Sequence, residues 1–204
     1  MAADDRRDWL TSPFFFWRVP DTFLYALFRT VWRLRIVGLE NVPLQGGVIF
    51  AGNHVANLDG PLIAIALWGR RYLRAMAKAE LYSIPVLGWF LTGTGTIPVD
   101  RRGDIGAMRT DAAVLQNGGA LGLLPEGTRS KDGRPGKPRA GVGFLAGLTK
   151  VPVVPVHLIG TRRWPWTTRV EARFGPPLFY EGATDDREAA IAFAQRVMDR
   201  VFSL

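Results

Sequence analysis

The sequence predicts an α/β fold: one layered domain with a largely parallel mixed sheet flanked by helices, preceded by an N-terminal amphipathic helical segment. Three observations carry this. From residue 39 onward short apolar runs alternate with stretches of helical character, the pattern of strands that cross over through helices. At 204 residues, 48% of them hydrophobic, the chain suits a single domain with a sizeable core. The first 35 residues differ from the rest, because WLTSPFFFWRVPDTFLYALFRTVWRLR packs aromatics against arginines. The expected division is therefore an N-terminal segment at 1–35 and a main domain at 36–204.

In the N-terminal segment, helical spacing puts Phe23, Leu24, Leu27, Phe28, Val31 and Trp32 on one half of a helix, with Arg29 and Arg33 opposite. Such a helix covers the domain's own core or lies in a membrane interface with arginines near lipid phosphate. Both readings stand at this point, and the aromatic cluster PFFFW ahead of the helix favours the membrane. The start, MAADDRRDW, has no apolar run of the secretory kind, so no signal peptide is expected.

The main domain then reads in order. GVIFAG (47–52) is a strand and Pro61 to Trp68 a helix. YLRAMAK (72–78) is a strand, Ile84 to Leu91 a short helix, and TIPV (96–99) a short strand. Ile105 to Gln116 is a helix and ALGLLP (120–125) a strand, followed by a Gly-, Pro- and Lys/Arg-rich loop from Gly127 to Arg139. A helix at 142–150, the strand VPVVPVHLIG (151–160), a strand near Val170–Phe174 and a closing amphipathic helix from Asp186 to Phe202 complete the chain. The longest charge-free stretch, Leu81 to Val99, is long enough to span a bilayer. Pro85, Gly88, Gly93, Gly95 and Pro98 interrupt it, which predicts a buried helix, a turn and a strand instead.

Net charge is +8, from 22 arginines against 4 lysines on the basic side. Such a surface attracts an anion, whether nucleic acid, an acidic bilayer or a phosphorylated small molecule, and the planar arginine fork suits phosphate. The chain has no cysteine, which excludes disulfides, thiol nucleophiles and thiolate metal sites.

FAGNHVANLDGP (50–61) ends an apolar run in His54, with Asp59 five positions on. In a continuous helix residues five apart point about 140° away from each other. A strand ending near Gly52 and a helix beginning near Asp59, however, let the loop fold His54 back over the first turn. A carboxylate there fixes the tautomer of the ring while the other nitrogen takes a proton. The plainer alternative is that Asp59 caps the helix and His54 satisfies a backbone group. With four serines in the chain and no G-x-S-x-G elbow, a base at His54 implies a hydroxyl brought by the substrate. A metal is not expected: the other histidine, His157, sits in an apolar strand.

LLPEGTRS (123–130) ends a strand in a tight polar turn. Gly127 permits the turn, its exposed amides can cradle an oxyanion, and Arg129 offers a fork for phosphate. GTIPVDRR (95–102) sets Arg101 and Arg102 just past another strand end. Taken singly, each reads equally as a surface turn or a solvated basic patch.

Together, NHVANLD, GTIPVDR, LPEGTR and VPVVPV resemble the four motifs of the glycerolipid acyltransferase family, in its order and approximate spacing over residues 35 to 180. KAELYSIPVLGW (78–89) resembles the family's lysine-containing stretch between the first two motifs. The resemblance implies that His54 is the general base and Asp59 its orienting partner. Lys78, Arg101 and the turn Glu126, Gly127, Thr128 and Arg129 bind the phosphorylated acceptor. It further implies a thioester donor (acyl-CoA or acyl-carrier protein), no other cofactor, and a lysophospholipid acceptor, 1-acyl-glycerol-3-phosphate, giving phosphatidic acid. Related members acylate other lysolipids or glycolipids. The implied location is peripheral, at the cytoplasmic face of a membrane, with the N-terminal helix on its surface and no nucleic acid partner. The chain departs from the pattern at Ala56, where Ser is usual, at Asn57, and at Leu124, where Phe is frequent; none of these removes a proposed catalytic group. Two other classes fit less well. A basic nucleic-acid module fits the charge but lacks a recognised motif. A dinucleotide enzyme is suggested by GVGFLA (141–146), but no strand precedes that pattern.

Overall fold

A computed structural model describes residues 18–74, 76–93, 96–99, 105–130 and 135–204. Helix α1 (Arg18–Thr30) leads into β1 (Arg35–Val37), β2 (Val48–Gly52) and α2 (Asp59–Ala66). β3 (Leu73–Arg74), β4 (Met76–Lys78), α3 (Pro85–Gly93) and β5 (Ile97–Val99) follow. Then come α4 (Ile105–Gln116), β6 (Ala120–Leu123), α5 (Gly141–Thr149), β7 (Val153–Ile159), β8 (Glu171–Phe174) and α6 (Arg187–Ser203). Six strands form one sheet in the order β1-β8-β7-β2-β6-β3. β2 is parallel to β6 and β7, and β3 to β6; β8 runs antiparallel to β7 and carries β1 parallel to itself. This is the largely parallel mixed sheet that the alternation predicted.

β2 shows why these residues make a central strand. All five are buried, as in strands covered on both faces. Successive side chains point to opposite faces. Val48 and Phe50 therefore join Leu62, Ile63, Val154 and Phe174 in one core, and Ile49 and Ala51 join Leu115, Leu145, Phe193 and Val197 in the other. α1 and α2 cover the first face, and α4, α5 and α6 the second. Full burial of Leu62 or Ile63 contributes roughly 1.5–3 kcal/mol each. α6 is amphipathic as expected: the Asp186 side chain accepts a hydrogen bond from the Ala189 amide at 2.9 Å, and Ala190, Phe193, Ala194, Val197 and Val201 line its buried stripe.

Two expectations need correction, at 72–78 and in the charge-free stretch. The run 72–78 is not one strand: Leu73 and Arg74 pair with β6, whereas Met76 to Lys78 pair with β5 in a separate two-stranded sheet. Composition marks the run as extended but says nothing of which strand satisfies its backbone. β1 was not foreseen, because three residues carry no readable period. The helix in the charge-free stretch is not buried, since Ile84, Val86 and Trp89 are exposed. GVGFLA lies within α5 itself. Its Gly143 lets α6 approach, because a Cβ there would meet the Ala190 carbonyl oxygen at 2.4 Å. That packing role accounts for the glycine without a dinucleotide.

The N-terminal helix belongs partly to the core. Phe28 is buried, its ring 4.8 Å from Trp32 and 6.4 Å from Trp164, and the Trp32 indole donates to the Pro165 carbonyl at 3.1 Å. Phe23 and Val31 face outward. The PFFFW cluster lies outside the described residues apart from its neighbourhood at Arg18. Among the described residues no helix is long and apolar enough to cross a membrane.

Candidate active site

Because β2, β6 and β7 run parallel, their C-terminal ends share one edge of the sheet, and the three chain segments leaving them meet there. The segment leaving β2 carries Asn53 and His54. The Asn53 side chain is buried and exchanges two hydrogen bonds with the Leu158 backbone of β7, at 3.0 and 2.8 Å, which pins the strand end. His54 follows directly. The chain turns over residues 55–58, and α2 starts at Asp59.

The Asp59 carboxylate, fully buried, points back along the chain. Its Oδ2 accepts from the Val55 amide at 2.6 Å and the Ala56 amide at 2.7 Å, and lies 3.1 Å from His54 Nδ1. The first turn of α2 also favours a negative charge there. The N-cap position itself is Leu58, which has no side-chain cap. Asp59 is therefore the first helical residue rather than the cap, and its donors are two loop amides and the imidazole. One carboxylate oxygen thus sets the loop's shape and the ring's orientation together, leaving Nε2 as the nitrogen turned away from the pair.

The segment leaving β6 is fastened to the same histidine. The His54 amide donates to Glu126 Oε1 at 3.0 Å, and the His54 carbonyl accepts from the Ser130 amide at 2.8 Å. Glu126, 5% exposed, uses its other oxygen to accept from the Gly136 amide at 3.1 Å. The sequence placed Glu126 among the acceptor-binding residues; the structure turns its carboxylate inward onto two backbone amides. Gly127 adopts φ 69°, a left-handed conformation that glycine takes without strain. A Cβ there would lie 2.8 Å from Arg139 Nε, so the Arg139 guanidinium lies over this glycine. Thr128 and Arg129 are exposed beside it.

His54, Asp59 and the Glu126–Arg129 turn are thus brought together. Lys78 ends β4, its backbone in register with Val99, and its side chain lies outside the description. Arg101 lies outside the described residues. Arg139 is the residue that sequence reasoning missed: twelve positions after Gly127 in a basic loop, its return to the turn depends on its amide bonding the Pro125 carbonyl at 2.9 Å. His157, in contrast, sits mid-strand opposite Arg173 with its ring edge-on to Phe202 at 5.5 Å. Burial, and then the Arg173 charge, lower its pKa and keep it neutral. Among the described residues no group of three or more acidic or histidine side chains could hold a metal ion.

The family model described as Acyltransferase matches residues 33–159, which include the His54 loop and the 126–130 turn. A chloroplastic 1-acyl-sn-glycerol-3-phosphate acyltransferase of Brassica napus is 33% identical over 142 residues, covering 68% of this chain and 39% of that protein. The corresponding enzyme of Borreliella burgdorferi is 32% identical over 135 residues, covering 65% of this chain and 53% of that protein. The chain therefore spans about two-fifths to half the length of these relatives. The crystal structure of the 1-acyl-sn-glycerophosphate (LPA) acyltransferase PlsC from Thermotoga maritima matches with a TM-score of 0.64 at 24% identity, covering 92% of this chain and 82% of that one, a likeness of fold. With the model match running across more than half of its length, the chain belongs to the acyltransferase family.

Proposed function

We propose that this protein transfers a fatty acyl group from a thioester, acyl-CoA or acyl-carrier protein, to the free hydroxyl of 1-acyl-glycerol-3-phosphate, giving phosphatidic acid. The observation that carries the reading is the 3.1 Å contact between His54 Nδ1 and the buried Asp59 carboxylate. Asp59 holds the ring so that Nε2 takes the acceptor's hydroxyl proton as its oxygen attacks the thioester carbonyl. The tetrahedral intermediate then collapses, the sulfur leaves, and the imidazolium returns that proton to it. No nucleophile of the protein is consumed. Glu126 contributes through the backbone, holding the His54 loop against the turn. Arg139, over Gly127, and Arg129, two positions after it, are assigned the acceptor's phosphate in this reading, with Thr128, Lys78 and Arg101 as further contacts. The acceptor is an amphiphile, so the reading includes peripheral attachment at the cytoplasmic face of a membrane, with the N-terminal segment on its surface.

The test is incubation of the purified protein with labelled acyl-CoA or acyl-carrier protein and a panel of lysophospholipids, glycerol 3-phosphate and glycolipids, with products identified by mass. Phosphatidic acid as the dominant product supports the reading; a different acylated lipid moves the acceptor within the family. His54→Ala is expected to lower turnover about 10²–10⁴-fold, the usual size of a lost general base. Normal turnover in that variant removes the mechanism.

A further inference from the structure

We propose that the edge of the sheet carrying His54 is itself the lipid-facing surface, seated on an anionic phospholipid bilayer by two tryptophan-bearing patches on either side of the histidine: the loop 161–169 and helix α3. This rests on the reading of the protein as an enzyme of a membrane lipid, but assigns the contact to segments outside the N-terminal helix.

The topology places both patches. β7 and β3 run in the same direction as β2, so both exit at the His54 edge. β7 lies on one side of β2, and β6 followed by β3 on the other. The chain leaving β7 is the loop TRRWPWTTR; the chain leaving β3 is the excursion that contains α3. His54, at the end of central β2, sits between the two exit points.

Each patch has the composition of an interfacial anchor. Trp166 is 90% exposed and Trp164 partly so, with Arg162, Arg163 and Arg169 exposed around them. The loop is built to hold this display. The Trp166 amide donates to the Arg163 carbonyl at 2.8 Å, and the Trp164 ring lies 5.6 Å from Trp32. The Trp32 indole bonds Pro165, which joins the loop to the turn just after α1, beside the outward Phe23 and Val31. On the other side, Val86 is 78% and Trp89 67% exposed, three positions apart on one face of α3, beside exposed Ile84. An ordered segment that presents indoles to solvent marks an interaction surface. Tryptophan with interleaved arginine suits headgroup depth and lipid phosphate.

A bilayer fits better than a protein partner because of what lies between the patches. A protein seated across both would cover His54, whereas a bilayer touching both presents an amphiphilic acceptor to it. The net charge of +8 complements an anionic leaflet.

The experiment uses the full chain with phosphatidylcholine vesicles, with and without phosphatidylglycerol, in co-sedimentation. Trp166→Ala and Trp89→Ala are each expected to weaken partition to the anionic vesicles several-fold, and the pair about 10²-fold. In parallel, acyl transfer to a vesicle-borne acceptor falls with partition, while transfer to a short-chain, water-soluble lysophosphatidic acid stays at the parent rate. Unchanged partition of the double variant overturns the proposal, as does failure of the parent protein to bind anionic vesicles, the result expected of a protein-docking surface. If partition behaves as expected but neither acceptor is acylated by the parent protein, the surface stands and the acyltransfer reading fails.

Discussion

The two edges of the parallel strands are held by opposite charges. Where β2, β6 and β7 end, the buried carboxylates of Asp59 and Glu126 collect backbone amides and leave His54 oriented between them. Where the strands begin, the Arg71 guanidinium, 3% exposed, collects backbone carbonyls from the turns leading into β2 and β6. It donates to Leu44 and Gly118 at 2.6 Å each, and also to Gly46. Both ends solve the same problem, since a buried ion is tolerated only when hydrogen-bonded and loop backbone cannot be left without partners. They differ in content. The anionic end encloses a titratable ring, whereas the cationic end gathers loop carbonyls. Charge-clamped loops are thus a structural device used at both edges of the parallel strands, and chemistry enters where one of the clamped groups can exchange a proton.

That contrast can be broken by substitution, and the largest effect is expected at Asp59. Asp59→Ala removes the acceptor shared by two amides and the imidazole, so kcat should fall about 10²–10³-fold. A variant with near-parent kcat would make Asp59 a mere loop clamp, no different in kind from Arg71. Arg71→Met should cost about 2–4 kcal/mol in urea unfolding by removing three hydrogen bonds from a charged group to loop carbonyls. The kcat of the folded fraction should stay at the parent value, and a selective loss of kcat at unchanged stability would erase the distinction between the edges. Glu126→Gln sharpens it further. The amide keeps the size but offers one acceptor oxygen for two backbone donors, so kcat should drop about 10-fold, about 1.4 kcal/mol in barrier, with KM nearly constant. A rise in KM at constant kcat would instead return Glu126 to the acceptor.

The smallest effect is expected at Asp111 of α4, a buried carboxylate whose Oδ1 has no hydrogen-bond partner. Burial pushes its pKa up to about 6. A raised folded-state pKa means its stabilising contribution is complete below the unfolded value, near 4, and is lost as pH rises through about 6. Asp111→Asn cannot ionise. Its stability relative to the parent should therefore improve by about 1 kcal/mol between pH 4 and 7, solvent screening reducing the roughly 2 kcal/mol that the unscreened shift would give, read as a shift in urea midpoint. A pH-independent difference would show that the ionised carboxylate finds donors that the folded structure conceals.

The sequence made the strands and helices of the covered core readable because their burial is periodic or continuous. GVIFAG and Asp186 to Phe202 were recognisable for that reason, and residues 105–116 matched α4 end to end. The His54–Asp59 encounter was legible because Gly60-Pro61 marked a helix start, so the five-residue spacing could be read as a loop closing on a first turn. What stayed hidden was partner choice. Nothing local distinguishes Met76–Lys78, which pair with β5, from Leu73–Arg74, which pair with β6. The exposure of Val86 and Trp89 was invisible for the same reason: an apolar run reads as core until one knows that no layer covers it. The inward turn of Glu126 and the arrival of Arg139 over Gly127 are products of tertiary loop closure, which no spacing rule encodes.

His54 hangs by its own main chain from a segment 72 residues away. The two stretches therefore behave as a single component delivered in two shipments, and neither has a defined geometry until β2 and β6 lie side by side. A chimera that imports the histidine stretch alone into a foreign scaffold would inherit the letters without the mounting. Exchange between relatives should succeed only when both stretches travel from the same donor.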